Sequence, residues 1–117
     1  MQQIFSEGKS FTVFPIKVIY LETKIPLDFP VKVAVGASGR HFKKAVQRNR
    51  IKRLLRECYR TEKLPLHSLL EQQNKELIVF LLYIDKVLPE YAVIKTKMPL
   101  IIQKLIKALN EKSSSNN

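Results

Sequence analysis

The chain has 117 residues and a formal net charge of +11, since 21 Lys and Arg face only 10 Asp and Glu. This excess is typical of a protein that binds a polyanion such as nucleic acid. No apolar run is long enough to cross a membrane and no secretory signal is apparent, so we expect a cytoplasmic protein without a membrane partner. The length favours one domain over residues 1–112, followed by a disordered tail at 113–117.

The first third of the chain predicts strands. Phe5 is expected in the last turn of a short helix that ends at Gly8, because glycine is the favoured residue after a helix. Residues 11–21 are rich in Phe, Val, Ile and Tyr with period-two alternation, which predicts a half-buried strand. A proline-containing loop leads to a second strand at residues 31–35, and we expect these two strands to pair antiparallel.

Residues 40–60 hold nine Lys or Arg and one acidic residue, Glu57, so this stretch carries a net charge of +8. Its apolar residues recur at the spacing i, i+3, i+4 and i+7 of one helical face: Ile51, Leu54, Leu55 and Cys58. The other side is an almost purely basic stripe: Asn49, Arg53, Arg56 and Arg60, with Lys52 beside it. A solvated helix face is the alternative, but such faces usually interleave Glu and Asp with the cations.

The helix is expected to start between residues 45 and 49, with Phe42 anchoring the loop before it, and to end near Lys63, where Pro65 follows. Cys58, the one cysteine, cannot form an internal disulfide and has no metal-ligand neighbour, so it is expected to be a buried apolar side chain.

The last third predicts a strand and a helix. A polar connection at residues 67–75, with or without a helical turn, precedes eight apolar residues that predict a central strand buried on both faces. Apolar residues then recur at helical spacing from Tyr91 to Leu109. Pro99 either starts this helix or kinks one that begins near Tyr91, and we favour the kink.

The sequence offers little for protein-based catalysis. Its only two Asp residues, Asp28 and Asp85, lie far apart, and no carboxylate cluster of the kind a two-metal nuclease uses is present. His41 could act as a base, but beside Arg40 and Lys43 it better suits hydrogen bonding to a phosphate or sugar. We therefore predict no catalytic residue, no metal site and no small-molecule ligand.

Residues 45–57, AVQRNRIKRLLRE, closely resemble the RNR signature of the bacterial ribonuclease P protein subunit. They combine Ala-Val, Arg-Asn-Arg, Lys-Arg and Arg-Glu at fixed spacing, and the order of elements over most of the chain is similar as well. The resemblance implies a single-domain α+β sandwich of order αβββαβα with a left-handed βαβ crossover, its first helix shortened here. It divides residues 11–21 and 31–38 into three strands, where the residues alone predict two.

The resemblance also implies a function. Such a protein binds ribonuclease P RNA and the 5′ leader of precursor tRNA, and the particle removes that leader. The catalytic centre would lie in the RNA, which would also bind most of the Mg²⁺. The alternative is a free-standing RNA-binding module, for example a ribosome-associated protein, whereas the scarcity of Asp disfavours a protein-only nuclease.

The resemblance assigns three groups of residues to RNA. The helix would dock on the RNA subunit through Arg48, Asn49, Arg50, Lys52, Arg53, Arg56 and Arg60. The loop before it would contribute Arg40, His41, Lys43 and Lys44. A cleft between the first helix and the sheet would hold the leader at Phe5, Lys17 and Ile19. An aromatic ring there suits base stacking, although core packing explains Phe5 equally well.

Overall fold

A computed structural model of the protein contains a four-stranded sheet in the order β1-β2-β4-β3. The structure describes residues 8–23, 31–73 and 75–115. Within them the strands are β1 (Lys9–Val13), β2 (Ile16–Thr23), β3 (Val31–Ala37) and β4 (Glu76–Tyr83). The helices are α1 (Ala45–Glu62), α2 (Leu64–Gln73) and α3 (Tyr91–Ser115). The predicted α+β fold is confirmed; Phe5 and the helix expected before Gly8 lie outside the described residues.

The segment 11–21, predicted as one strand, belongs to a β-hairpin. Its strands pair antiparallel with Phe11 opposite Val18, and the chain turns at Phe14 and Pro15. A proline cannot donate a ladder hydrogen bond and its φ is fixed, so a regular strand does not continue through Pro15. The three strands before α1 that the resemblance implies are therefore β1, β2 and β3.

The expected antiparallel pairing of the segments 11–21 and 31–35 is wrong. β4 lies between β2 and β3, antiparallel to β2 and parallel to β3. This position suits β4 because it is the most apolar strand, and neighbours on both edges remove its backbone from water. Its central position is confirmed, but its burial alternates: one face is buried among the helices, and the other is half-buried.

The core lies between the sheet and the helices. α1 begins at Ala45, as predicted, and the side chain of Phe42 just before it is only 4% exposed. Ile51, Leu55 and Cys58 are completely buried, which confirms the predicted apolar face, and Leu54 at its margin is half-buried. Burial raises the pKa of the Cys58 thiol, in keeping with its place as a core residue.

The connection predicted at residues 67–75 is mostly helix α2, which starts directly after α1. Pro65 lies in the first turn of α2, where a missing N–H costs nothing because first-turn N–H groups have no helical partner. It therefore ends one helix and suits the start of the next. Leu66 and Leu70 anchor α2 in the core.

The last helix begins at Tyr91, so the alternative start at Pro99 is wrong and the proline lies inside α3. α3 continues to Ser115, within the segment 113–117 for which disorder was predicted, since each added helical residue gains a backbone hydrogen bond. In the described part of the chain, no helix combines the length and apolarity needed to span a membrane.

Candidate RNA interface

The solvent side of α1 is basic from Asn49 to Arg60, apart from Glu57. Ile51 and Leu55 fix which side is buried, and the predicted stripe lies opposite them. We call the seven predicted RNA-contact residues of α1 the basic face, of which Arg48 alone lies on the side of buried Leu55: Arg48, Asn49, Arg50, Lys52, Arg53, Arg56 and Arg60. All are exposed except Lys52 and Arg48, which are half-buried. The helix thus presents several guanidinium groups on one side, where each could pair with a phosphate.

One acidic side chain lies within this surface. Glu57 accepts hydrogen bonds from Arg60, with Arg60 Nη2 and Glu57 Oε1 2.5 Å apart. This hydrogen bond and the charge of Arg60 lower the pKa of the Glu57 carboxyl, so it stays ionised and neutralises that arginine. Across the described residues, the basic face has no other ion pair. The unneutralised charge is therefore concentrated between Asn49 and Arg56.

The N-terminus of α1 adds to the positive charge. Lys44 is the N-cap residue, yet its side chain makes no capping hydrogen bond, and the first turn contains no acidic residue. First-turn N–H groups and the helix dipole together favour an anion at this end. The predicted RNA-binding residues of the 40–44 loop are all exposed beside it: Arg40, His41, Lys43 and Lys44. The loop and the basic face therefore form one continuous cationic surface.

Arg48 has a structural role that the sequence did not suggest. Its Nη1 donates hydrogen bonds to the backbone oxygens of Phe42 at 2.6 Å and Lys43 at 2.9 Å. The Phe42 N–H in turn donates to the Ser38 carbonyl at 3.0 Å. Arg48 thus ties the 40–44 loop to the helix and orients it. The signal was present, because Arg48 precedes the buried Leu55 by seven residues and so lies on the same side of the helix.

The two described residues of the predicted leader cleft lie together. Lys17 and Ile19 are on the face of the sheet turned away from the core, whose own residues on β2 are Ile16 and Val18. Phe5, the third predicted member, lies outside the described residues. The structure therefore places one cation, Lys17, beside one apolar side chain on this face, although Ile19 is itself buried with only 9% of its surface exposed.

β3 and β4 complete what we call the second sheet face: Lys17, Ile19, Gly36, Phe80 and Leu82. In the strand register Phe80 lies beside Ile19, and Leu82 beside Lys17. The Phe80 ring covers Gly36, since a Cβ added there would lie 2.9 Å from the ring's Cζ atom. Sequence reasoning missed Phe80, a half-buried aromatic at the centre of this face.

Three further titratable side chains, those of Tyr59, His67 and Asp85, are held in local contacts. Tyr59 and His67 are hydrogen-bonded, with the hydroxyl 2.8 Å from Nε2. The Asp85 carboxylate accepts a hydrogen bond from the Lys86 N–H at 2.7 Å, and Asp28 lies outside the described residues. Among residues 8–23, 31–73 and 75–115, no three His, Cys, Asp or Glu side chains converge in a way that could hold a metal ion.

Known proteins resemble this chain in both sequence and fold. A family model described as ribonuclease P matches residues 1–82. The ribonuclease P protein component of Porphyromonas gingivalis strain ATCC 33277 is 30% identical over 95 residues, which cover 81% of this chain and 69% of that protein. The protein of the same name from Chlorobium phaeobacteroides is 35% identical over 77 residues, 63% of this chain and 53% of its own length.

Among solved structures, the ribonuclease P protein of Thermotoga maritima superposes with a TM-score of 0.67 at 20% identity, over 88% of both chains. The Staphylococcus aureus ribonuclease P protein gives 0.64 at 24% identity, over 91% of this chain and 87% of that one. These likenesses establish a shared α+β fold. The family match and the P. gingivalis relative identify it further: the chain belongs to the ribonuclease P protein component family. It is accordingly a subunit of a ribonucleoprotein endoribonuclease of tRNA processing.

Proposed function

We propose that this chain docks on the ribonuclease P RNA through the basic face and the 40–44 loop, and binds the 5′ leader of precursor tRNA on the second sheet face. The observation that carries the proposal is the one-sided charge of α1, exposed opposite the buried Ile51, Leu55 and Cys58. Membership of the ribonuclease P family supports RNA as the polyanion that this charge meets.

Docking would draw its free energy largely from the release of counterions as Arg and Lys neutralise phosphates. The guanidinium groups of Arg53 and Arg56 are exposed, and arginine can bind two phosphate oxygens at once. Asn49 on the same stripe can add directional hydrogen bonds to a sugar or a base edge. Arg48 would contribute indirectly, because it positions the loop that carries Arg40 and His41; its direct contact with RNA stays a prediction.

The second sheet face suits a single strand better than a duplex. It offers the half-buried Phe80 ring and Leu82 beside the buried Ile19, with the Lys17 ammonium at its edge. Bases of single-stranded RNA stack on aromatic and apolar side chains, whereas those of a duplex are already stacked on one another. A 5′ leader is unpaired and would therefore bind here, which gives the particle a way to distinguish precursor from mature tRNA.

We assign the catalytic centre to the RNA subunit, together with most of the Mg²⁺. Mg²⁺ prefers oxygen ligands, mainly carboxylates and phosphates, whereas the basic face is cationic and the named residues of the second sheet face are apolar apart from Lys17. Since no carboxylate cluster lies among the described residues, this part of the chain does not fit a magnesium site. The chain would instead reduce repulsion between phosphates where RNA and substrate meet, and so lower the Mg²⁺ concentration that cleavage needs.

Reconstitution tests the proposal. The purified chain, the RNA subunit and the reconstituted particle are assayed on precursor and mature tRNA over a series of Mg²⁺ concentrations. We expect cleavage by the particle at lower Mg²⁺ than by the RNA, no cleavage by the chain, and tighter binding of precursor than of mature tRNA. Specific 5′ cleavage by the chain without RNA would refute the assignment of the catalytic centre.

Matched variants test the surface. Arg53→Ala/Arg56→Ala removes two charges from the basic face, and Lys9→Ala/Lys86→Ala removes two exposed charges elsewhere. The first pair should weaken binding to the RNA subunit strongly, and the second only slightly. Equal losses would show that binding depends on net charge alone, and would remove α1 as the docking surface.

A further inference from the structure

A groove runs along the outer edge of β1, where the C-terminal half of α3 passes over it. It consists of two adjoining depressions of about 420 and 270 Å³ that share Lys104 and Lys107. β1 and β3 are the opposite edge strands of the sheet, and α1 packs near β3. The groove is therefore at the other edge of the sheet from the basic face, and the docking proposed above makes no use of it.

The floor of the groove is apolar and its rim is cationic. Val13 and Leu100 line the larger depression, and the Leu100 side chain is 45% exposed although it is large and apolar. Phe11 lines the smaller one, with its ring centroid 5.9 Å from that of Tyr20. The Lys104 ammonium lies 5.7 Å from the Phe11 ring centroid, within cation–π distance. Among the residues that the structure describes, none that lines either depression is acidic.

An apolar floor with a cationic rim suits a ligand that is flat and apolar in one part and anionic in another. A nucleotide has this form, because its base has two apolar faces and its phosphate carries the charge. Lys104 and Lys107 lie three residues apart on the exposed side of α3, so both ammonium groups can follow a strand of phosphates. The combined volume exceeds what one small side chain would fill and is in the range of ordinary ligand pockets.

The groove also adjoins the second sheet face. Thr12, which lines the groove, lies directly opposite Lys17 in the β1–β2 register. Neighbouring strands are about 4.8 Å apart, so only the width of β1 separates the Lys17 position from the groove. An RNA strand bound at Lys17 could therefore cross β1 at Thr12 and continue toward Lys104.

We propose that the β1–α3 groove is a second single-stranded RNA site, which holds the part of the 5′ leader beyond the segment bound at Lys17. This inference rests on the leader binding proposed above and extends it to a longer stretch of the same strand. The exposed edge of β1 would also accept an extended peptide, but the rim of two lysines and the adjoining RNA surface favour a strand of phosphates.

The test compares precursor tRNAs with a short and a long leader, bound to the reconstituted particle. Lys104→Ala/Lys107→Ala should abolish the affinity gained from the long leader and leave binding and cleavage of the short-leader substrate unchanged. Each phosphate contact to a single strand contributes about 0.7 to the slope of log K against log salt, so the long-leader slope should become shallower by about 1.4. Lys104→Arg/Lys107→Arg should retain the wild-type gain, because the charge is kept.

A matched control is Lys86→Ala/Lys95→Ala, which removes two exposed charges near the other end of α3 and should preserve the gain from the long leader. Thermal melting of every variant verifies that it is folded, and Lys104→Gln/Lys107→Gln serves as a second uncharged pair. A photoreactive nucleotide in the distal leader should crosslink to α3 in the wild-type particle.

The outcomes separate the two proposals. A particle that does not distinguish precursor from mature tRNA would remove leader binding, and the groove site with it. The groove site alone would be overturned if the particle distinguishes precursor from mature tRNA, yet the long leader adds the same affinity with and without the two lysines, Lys104 and Lys107. If the same substitutions weakened binding of poly-glutamate but not of the leader, the groove would be assigned to an acidic peptide, and the proposed RNA site would be overturned.

Discussion

The roles of the two sides of α1, stability and RNA binding, can be distinguished by substitutions at positions only two residues apart. Leu55 is completely buried, so Leu55→Ala leaves a cavity and should cost about 2–5 kcal/mol of unfolding free energy. Unfolding entropy is roughly 2.1 cal/mol/K per residue, or about 0.25 kcal/mol/K for a chain of this length, so Tm should fall by about 8–20 °C. Arg53 is exposed, and Arg53→Ala should change stability by no more than about 0.5 kcal/mol, a shift of roughly 2 °C.

RNA binding should respond in the opposite way. Arg53→Ala removes one phosphate contact, so the affinity for the RNA subunit falls and the salt slope becomes shallower by about 0.7–0.9. Leu55→Ala, measured well below its own melting temperature, should keep the wild-type affinity because the basic face is unchanged. The assays are thermal melting by circular dichroism and RNA binding at several salt concentrations.

Two controls sharpen the comparison. Arg53→Lys keeps the charge and should keep most of the salt slope, while Leu54→Ala, at a half-buried position, should destabilise less than Leu55→Ala. If Arg53→Ala and Leu55→Ala lowered Tm by the same amount, the assignment of the two sides of the helix would be wrong. The same conclusion would follow if both weakened RNA binding equally at a temperature where both are folded.

Three further predictions concern the loop, the pH dependence and the salt dependence. Arg48→Ala should cost about 1–3 kcal/mol because it breaks two charge-assisted hydrogen bonds, whereas exposed Arg50→Ala should cost almost nothing; equal melting temperatures would contradict this. Burial and the nearby charge of Lys63 lower the pKa of His67, so its contribution to stability is complete above the unfolded pKa of about 6.5 and is lost as pH falls through the folded pKa. Denaturant titrations at several pH values should show this loss of stability in the wild type but not in His67→Gln. If His67→Gln lost as much stability at low pH as the wild type does, His67 would not be the cause. With about five phosphate contacts, log K for the RNA subunit against log salt should have a slope of roughly −3.5 to −4.5, and a flat dependence would refute electrostatic docking.

The sequence predicted α1 well because two periodic signals agree there. Ile51, Leu55 and Cys58 mark the buried side, and the cations fill the other. The pattern could not identify the hydrogen-bond partners of an individual arginine. Arg48 was therefore assigned to RNA by resemblance, although its helical position beside Leu55 placed it next to the loop that it holds.

The strands were predicted less well, for two physical reasons. Strand periodicity indicates which residues share a face but not which strand lies next to which, so the central position of β4 was predicted while the pairing of the second and third strands was wrong. β4 is apolar at every position after Glu76, and an unbroken apolar run does not distinguish its two faces. Phe80 therefore could not be assigned to the second sheet face until the register with Ile19 was known.

The insertion of β4 between β2 and β3 constrains when the protein can fold during synthesis. Both of those strands precede β4 in the chain, so each keeps an open edge until residues 76–83 have left the ribosome. Until then the basic segment of α1 is attached to an incomplete sheet, and the pairings that close it are distant in sequence and slow to form. We therefore expect a nascent chain that ends before residue 76 to present its cations without a fixed arrangement, and selective assembly with RNA to begin only once β4 is in place.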